Sequence, residues 1–297
     1  FMSMRILLAL LLTPGSLSSV AAESGWQRPF SEVADLPARA PDRVVAYGAE
    51  ESQFVELWFP PGRQSAAPVV VLIHGGCWLA DYDLAYVRPL AVALRNRGYA
   101  VWAPEYRRVG EDGGGWPGTF EDIATAVDYL PRLAPDSLDM DRVVLVGHSA
   151  GGHLALWAAA RPGFERGSPF HAAAPLMAAG VVGLAAITDL PAYSAGDNSC
   201  QRATALFMGG APEDSPEQYA AANPAGLGMS IPITLLHGSA DSIVPAGQFE
   251  ALPGDNVSSR VGRGRRMQIT RSGVRFGLLV LLASIAGRNA VAEGLPV

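Results

Sequence analysis

A short Val-rich run, residues 142–146, leads directly into Gly147-His148-Ser149-Ala150-Gly151-Gly152, and an Ala-rich stretch continues to residue 160. A Gly-x-Ser-x-Gly segment between a strand signal and a helix signal constrains the chain more than any other feature. The turn it describes is sharp, and the glycines remove Cβ atoms that would collide there. Such a turn presents the Ser149 hydroxyl above a sheet edge. It also aims the Ala150 amide, at a helix N-terminus, toward a place where negative charge can develop. Ser149 is therefore the candidate nucleophile and Ala150 a candidate oxyanion donor. The competing reading is a Gly/Ser turn without chemistry.

The rest of the chain supplies the frame that this turn needs. Residues 53–59 alternate and stop at Pro60-Pro61-Gly62, and residues 69–73 form a continuous apolar run suited to a strand covered on both faces. Helical spacing over 84–97 places Leu84, Val87, Leu90, Ala91 and Leu94 on one face, and Gly98 ends it. Further strands are expected at 99–103, 181–187 and 231–236. A helix is expected over 119–130 with Thr119 as its N-cap. Strands alternating with helices predict an α/β fold with a mostly parallel, doubly wound sheet. Residues 190–228, rich in Pro, Gly and Ala, read as a small cap insertion over that sheet.

The run at 69–73 ends in His74-Gly75-Gly76-Cys77-Trp78. Glycines just past a central strand let backbone amides approach a ligand, so Gly75, Gly76 and Cys77 are candidate partners of Ala150 in an oxyanion hole. His74 reads as an organiser of this loop rather than a base. Trp78 is expected as a pocket wall, with ordinary packing as the alternative, and His148 is placed beside the substrate.

These two motifs resemble those of the α/β-hydrolase superfamily. More narrowly, HGGCW resembles the HGGxW of kynurenine formamidases and related esterases, close to the HGGG of hormone-sensitive-lipase-like carboxylesterases. Ala103-Pro104-Glu105-Tyr106-Arg107-Arg108 is similar to the D/N-Y-R-L segment of those families. Trp116-Pro117 with Glu121-Asp122 resembles their F-P-x-x-x-x-D helix start. The resemblance covers roughly residues 50–252 and implies an α/β-hydrolase fold with a Ser–Asp–His triad. It implies the acid at Asp241, in His237-Gly238-Ser239-Ala240-Asp241-Ser242-Ile243-Val244-Pro245. Asp189 is the weaker rival and is expected to cap or shape the insertion.

The base is missing. The five histidines are His74, His148, His153, His171 and His237, so none follows Asp241. The resemblance implies a base 25–35 residues beyond the acid, where this chain reads Gly262-Arg263-Gly264-Arg265-Arg266-Met267-Gln268-Ile269-Thr270-Arg271. A serine hydroxyl without a base is a weak nucleophile. The composition changes in the same region. All 22 basic residues are arginines and the net charge is −6. Residues 253–297 nevertheless carry 7 Arg against only Asp255 and Glu293. Residues 258–297 therefore read as an atypical tail. One source is a shifted reading frame: codons for Arg266 and Ile269 ending in C would let Met267–Thr270 be read one base earlier as His-Ala-Asp-His. The other is a natural tail on a non-catalytic homologue. The apolar run 276–287 is too short to span a membrane.

Residues 1–22 are expected to be a signal peptide, with Arg5, the apolar run 6–12 and Val20-Ala21-Ala22 as a cleavage site, leaving 23–257 as the hydrolase domain. A buried N-terminal helix is the alternative. Export to a secreted or periplasmic location would expose Cys77 and Cys200 to oxidation. A disulfide between them stands against a free, buried Cys77. With 49% hydrophobic and 17% charged residues the chain is too apolar for disorder, and its negative charge argues against nucleic acid as a partner. Metal-ligand spacings and phosphate-binding loops are missing from the sequence, so no metal and no cofactor is expected. The expected partner is a small-molecule ester or, second, an amide of the formylkynurenine type. The oligomeric state is not legible.

Overall fold

The computed structural model describes residues 36–262, apart from 63–65, 134–136, 240 and 253. Its frame is one eight-stranded sheet: β1 (Arg43–Ala46), β2 (Phe54–Trp58), β3 (Ala67–Ile73), β4 (Ala100–Pro104), β5 (Leu138–His148), β6 (Gly180–Leu184), β7 (Ile233–Gly238) and β8 (Val257–Gly262). The spatial order is β1-β2-β4-β3-β5-β6-β7-β8. The β1–β2 and β2–β4 pairs are antiparallel, and β4 through β8 run parallel. This is the α/β-hydrolase fold. The helices are α1 (Arg88–Arg95), α2 (Gly118–Leu133), α3 (Ala150–Ala160), α4 (Leu190–Ser194), α5 (Ser199–Met208), α6 (Pro216–Ala222) and α7 (Gly247–Glu250).

Both faces of the central strands are covered, which explains their unbroken apolar runs. Val69, Val71 and Ile73 of β3 share a core with α2 and α3, while Val70 and Leu72 share another with α1. All eleven residues of α3 are buried. The order in which strands are added reverses between β3 and β5, which themselves run parallel. From β3 the chain moves outward to β4, then returns to β5 on the other side, so the carboxyl ends of β3 and β5 form the topological switch point at which folds of this kind place their sites.

Several boundaries differ from the sequence expectation for local reasons. The 84–97 helix begins as a 3-10 turn at Leu84–Val87, capped by the Asp83 carboxylate on the Ala85 amide at 2.8 Å. Thr119 is not the N-cap of α2. Its hydroxyl lies inside the first turn, accepting from the Gly115 amide at 3.0 Å and donating to the Arg107 carbonyl. Strand β6 ends at Leu184, before Ala185 enters a left-handed conformation at φ 46°. Asp189 caps α4 through the Ala192 amide at 3.1 Å. Strands β1 and β8 carried no sequence signal. The sheet continues to Gly262, past residue 257, where the hydrolase domain was expected to end. Helices α4 to α6 fall within the 190–228 segment, and Tyr193, Phe207 and Tyr219 of it are packed in the main core. The expected signal peptide and the tail beyond Gly262 lie outside the described residues.

Candidate active site

The turn at Ser149 has the geometry that its glycines permit. Ser149 sits at φ 55° and ψ −120°, between the last residue of β5 and the first of α3. A left-handed non-glycine residue stores backbone strain, and such strain concentrates at functional sites. Its amide donates to the Leu184 carbonyl at 2.8 Å and its carbonyl accepts from His153 at 3.1 Å, so neighbouring elements hold the strained residue. Added Cβ atoms show why glycine flanks it. One on Gly151 would overlap the Ile73 and His74 carbonyls, and one on Gly147 would overlap the Gly151 carbonyl.

The loop after β3 lies against this turn. A Cβ on Gly75 would come within 3.2 Å of the Ser149 Cβ. Gly76 is at φ 104°, Cys77 at 54° and Trp78 at 59°, three successive residues in left-handed backbone. The Gly76 and Cys77 amides donate to no acceptor among the described residues. The Ala150 amide is in the first turn of α3, where no intrahelical partner exists. Gly75 departs from expectation. Its amide donates to the Tyr86 hydroxyl, which also lies 3.2 Å from His148 Nδ1. Gly75 is therefore a spacer that brings the loop close to Ser149, and its N–H is already spent. Trp78 is corrected too. It is fully buried and stacked on Phe207, with ring centroids 4.5 Å apart, so it packs the core beneath the loop rather than walling a pocket.

His74 is fully buried and holds the loop from below. Its Nδ1 lies 2.9 Å from the Gly75 carbonyl and its Nε2 2.7 Å from Glu105 Oε1, and its ring stacks on Tyr106. The Tyr106 hydroxyl donates to the His74 carbonyl at 2.8 Å. Glu105 also accepts from the Leu84 and Tyr106 amides at 2.9 and 3.1 Å, with Arg108 at 3.5 Å. Burial alone would raise the Glu105 carboxyl, but His74, then Arg108 and the Leu84 amide, hold it below the usual range. A carboxyl depressed on folding adds stability above its unfolded value and loses it as pH falls through the folded one. Glu105→Ala should cost about 3–5 kcal/mol at pH 7, the usual cost of breaking a buried pair. It should also weaken the acid-induced loss of stability below roughly pH 4. Urea midpoints at pH 7 and 3.5 check this; a loss under about 1 kcal/mol would show that Glu105 does not brace the loop.

Asp241 follows β7 at the same edge of the sheet as Ser149, because β5, β6 and β7 run parallel. Its Oδ1 accepts from the Ile243 and Val244 amides at 2.9 and 3.0 Å. The histidines are committed elsewhere. His237 is buried with Nε2 at 2.8 Å from the Val244 carbonyl. His153 Nε2 meets the Ala222 carbonyl at 2.9 Å, and burial lowers its pKa to about 4. Exposed His171 meets the Phe164 carbonyl at 2.9 Å. None of these bonds, nor those of His74 and His148 above, reaches Ser149 or Asp241. Strand β8 pairs parallel to β7 with Gly262 opposite Gly238, so the chain leaves the sheet at the edge that carries Ser149 and Asp241. Cys77 and Cys200 form a disulfide, with Cα atoms 5.0 Å apart.

With this geometry established, comparison with known proteins places the chain. The BD-FAE family model matches residues 55–254. The chain belongs to the BD-FAE family. This is an α/β-hydrolase, carboxylesterase-like assignment, and esterases recur among similar proteins. The chain is 31% identical over 114 residues to the probable isoprenylcysteine alpha-carbonyl methylesterase ICMEL1 of Oryza sativa subsp. japonica, covering 38% of this chain and 26% of that protein. Esterase LipQ of Mycobacterium tuberculosis is 27% identical over 229 residues, covering 72% of this chain and 52% of LipQ. The chain thus spans about a quarter to a half of the length of these relatives. The crystal structure of esterase B from Lactobacillus Rhamnosis shares the fold, with a TM-score of 0.71 and 20% identity over 86% of this chain and 89% of that one. The BD-FAE match ends at residue 254, before the tail that lacks a histidine.

Proposed function

We propose that this BD-FAE chain is a serine hydrolase scaffold for carboxylic esters of small acyl compounds, exported to a secreted or periplasmic location, and slow as written because its base is missing. The observation that carries the reading is Ser149 in left-handed backbone with Gly75 packed against it. Ser149 Oγ would attack the acyl carbon, and the carbonyl oxygen would become an oxyanion received by the Gly76, Cys77 and Ala150 amides. The Ser149 hydroxyl proton would pass to the departing alkoxide, and water would then hydrolyse the acyl–Ser149 ester to the acid and the free hydroxyl. Asp241 would orient an imidazole delivered after β8. Esterase relatives favour an ester over a formamide substrate. Arg5 with the apolar run behind it, and the Cys77–Cys200 bridge, support export. A second reading, a non-catalytic protein whose site binds a small acyl ligand, is favoured by the lack of any histidine after Asp241.

Steady-state hydrolysis of p-nitrophenyl acetate by the unmodified chain tests the missing base. Turnover should fall far below the usual enzyme range of roughly 1–10³ s⁻¹. Turnover within that range, abolished by Ser149→Ala, would mean that another group serves as base, with His237 the first to examine.

A further inference from the structure

The two loops brought together at the sheet edge leave different strands: 75–78 follows β3 and 241–245 follows β7. The start of α5 touches both. Cys200, in its first turn, is bridged to Cys77. Asn198, its N-cap, uses its two side-chain ends differently. Oδ1 accepts from the Gln201 amide at 2.9 Å and caps the helix, completing a capping box with the Gln201 side chain. Nδ2 donates outward to the Ile243 and Ser242 carbonyls at 3.0 and 3.3 Å. The Tyr193 hydroxyl donates to the same Ile243 carbonyl at 3.0 Å, while the Ile243 amide donates to Asp241. The Ile243 peptide is therefore held on both sides, by α4 and Asn198 at its oxygen and by Asp241 at its nitrogen. The far end of α5 is anchored in the core by Phe207, stacked on Trp78, and by the Phe207 carbonyl accepting from Trp116 at 2.7 Å.

We propose that the Asn198–Cys200 segment is a cross-tie that positions both halves of the site. Asn198 is the positioning residue for the Asp241 loop, and the disulfide fixes the Cys77 amide. The inference rests on the proposed function only in taking these two loops as one site. Because α5 is anchored in the core, it is a rigid reference to which each loop is fastened by a separate bond.

Hydrogen exchange followed by mass spectrometry on the full chain tests this without turnover. Asn198→Asp keeps an oxygen for the cap, and Asp caps helices about as well as Asn, but it removes the Nδ2 donor. Exchange at residues 242–245 should rise about tenfold or more, with α5 itself and residues 76–79 unchanged. Reducing the wild-type disulfide with a phosphine, which is oxidised as the two thiols form, should speed exchange at 76–79 and leave 242–245, still tied by Asn198, unchanged, and reoxidation should restore it. Reduction should also lower residual p-nitrophenyl acetate kcat without changing KM, because the remaining catalysis rests on the oxyanion amides. Wild-type exchange at 242–245 in Asn198→Asp would overturn the proposal. So would equal loss of protection within α5, which would leave Asn198 a cap alone, or wild-type exchange at 76–79 after reduction. Failure of Ser149 to react at all would instead overturn the proposed function, leaving the exchange result to stand.

Discussion

A chain carrying His-Ala-Asp-His in place of Met267–Thr270 should hydrolyse p-nitrophenyl acetate on the order of 10⁴–10⁶-fold faster than the chain as written. That gain corresponds to about 5–8 kcal/mol of transition-state stabilisation, since each 1.36 kcal/mol is about tenfold in rate. The reason is that every other part of the machinery has a place in the fold. Ser149 occupies its strained turn at the start of α3, Gly75 of the β3 loop packs against it, and Asp241 stands on the same edge. The position of β8 makes the tail the natural carrier, because Gly262 leaves the sheet beside Gly238. Ser149→Ala in the same background should erase the gain, because the added imidazole acts only through that hydroxyl. A gain that survives Ser149→Ala would show that the new histidines hydrolyse the ester on their own. Sequencing the coding DNA across residues 255–275 separates a shifted frame from a natural tail.

Removing the disulfide should produce the largest change in stability. Cys77 and Cys200 are 123 residues apart in the chain, so the bridge closes a long loop in the unfolded state. For loops of about this length the entropic contribution is about 4–5 kcal/mol. The pair Cys77→Ser and Cys200→Ser should therefore lower Tm by about 10 °C or more, at a rate of roughly 2–4 °C per kcal/mol for a domain of this size. Differential scanning calorimetry of both forms checks it. A drop under about 3 °C would mean that core contacts such as Trp78 on Phe207 already restrain the two segments without the bond.

The sequence carried some of this molecule openly and hid the rest for physical reasons. Strands β3 to β7 were legible because both of their faces are buried, which forces continuous apolar runs. The turn at Ser149 was legible because only glycines tolerate the contacts around it. Strand β1 was not, since it is four mostly exposed residues. Strand β8 was not, since Val257–Gly262 is half polar and takes its place only by pairing with β7. Gly75 and Trp78 were misjudged for one reason. A motif states which residues form a loop, but their partners, Tyr86 and Phe207, come from helical segments with no local link to it. Glu105 was visible only as part of a resemblance. Asn198 and Tyr193 gave no signal, because their function depends on a loop 44 to 50 residues away in the chain.

The central claim is that Ser149 is the nucleophile of a site otherwise built for acyl transfer. Incubating the histidine-bearing chain with a fluorophosphonate and mapping the adduct by mass spectrometry tests it most directly. One phosphonyl group per chain is expected, on the peptide containing Ser149, forming orders of magnitude faster than in the unmodified chain and not at all in Ser149→Ala. An adduct on another residue, or full ester turnover with Ser149 left unlabelled, would contradict it.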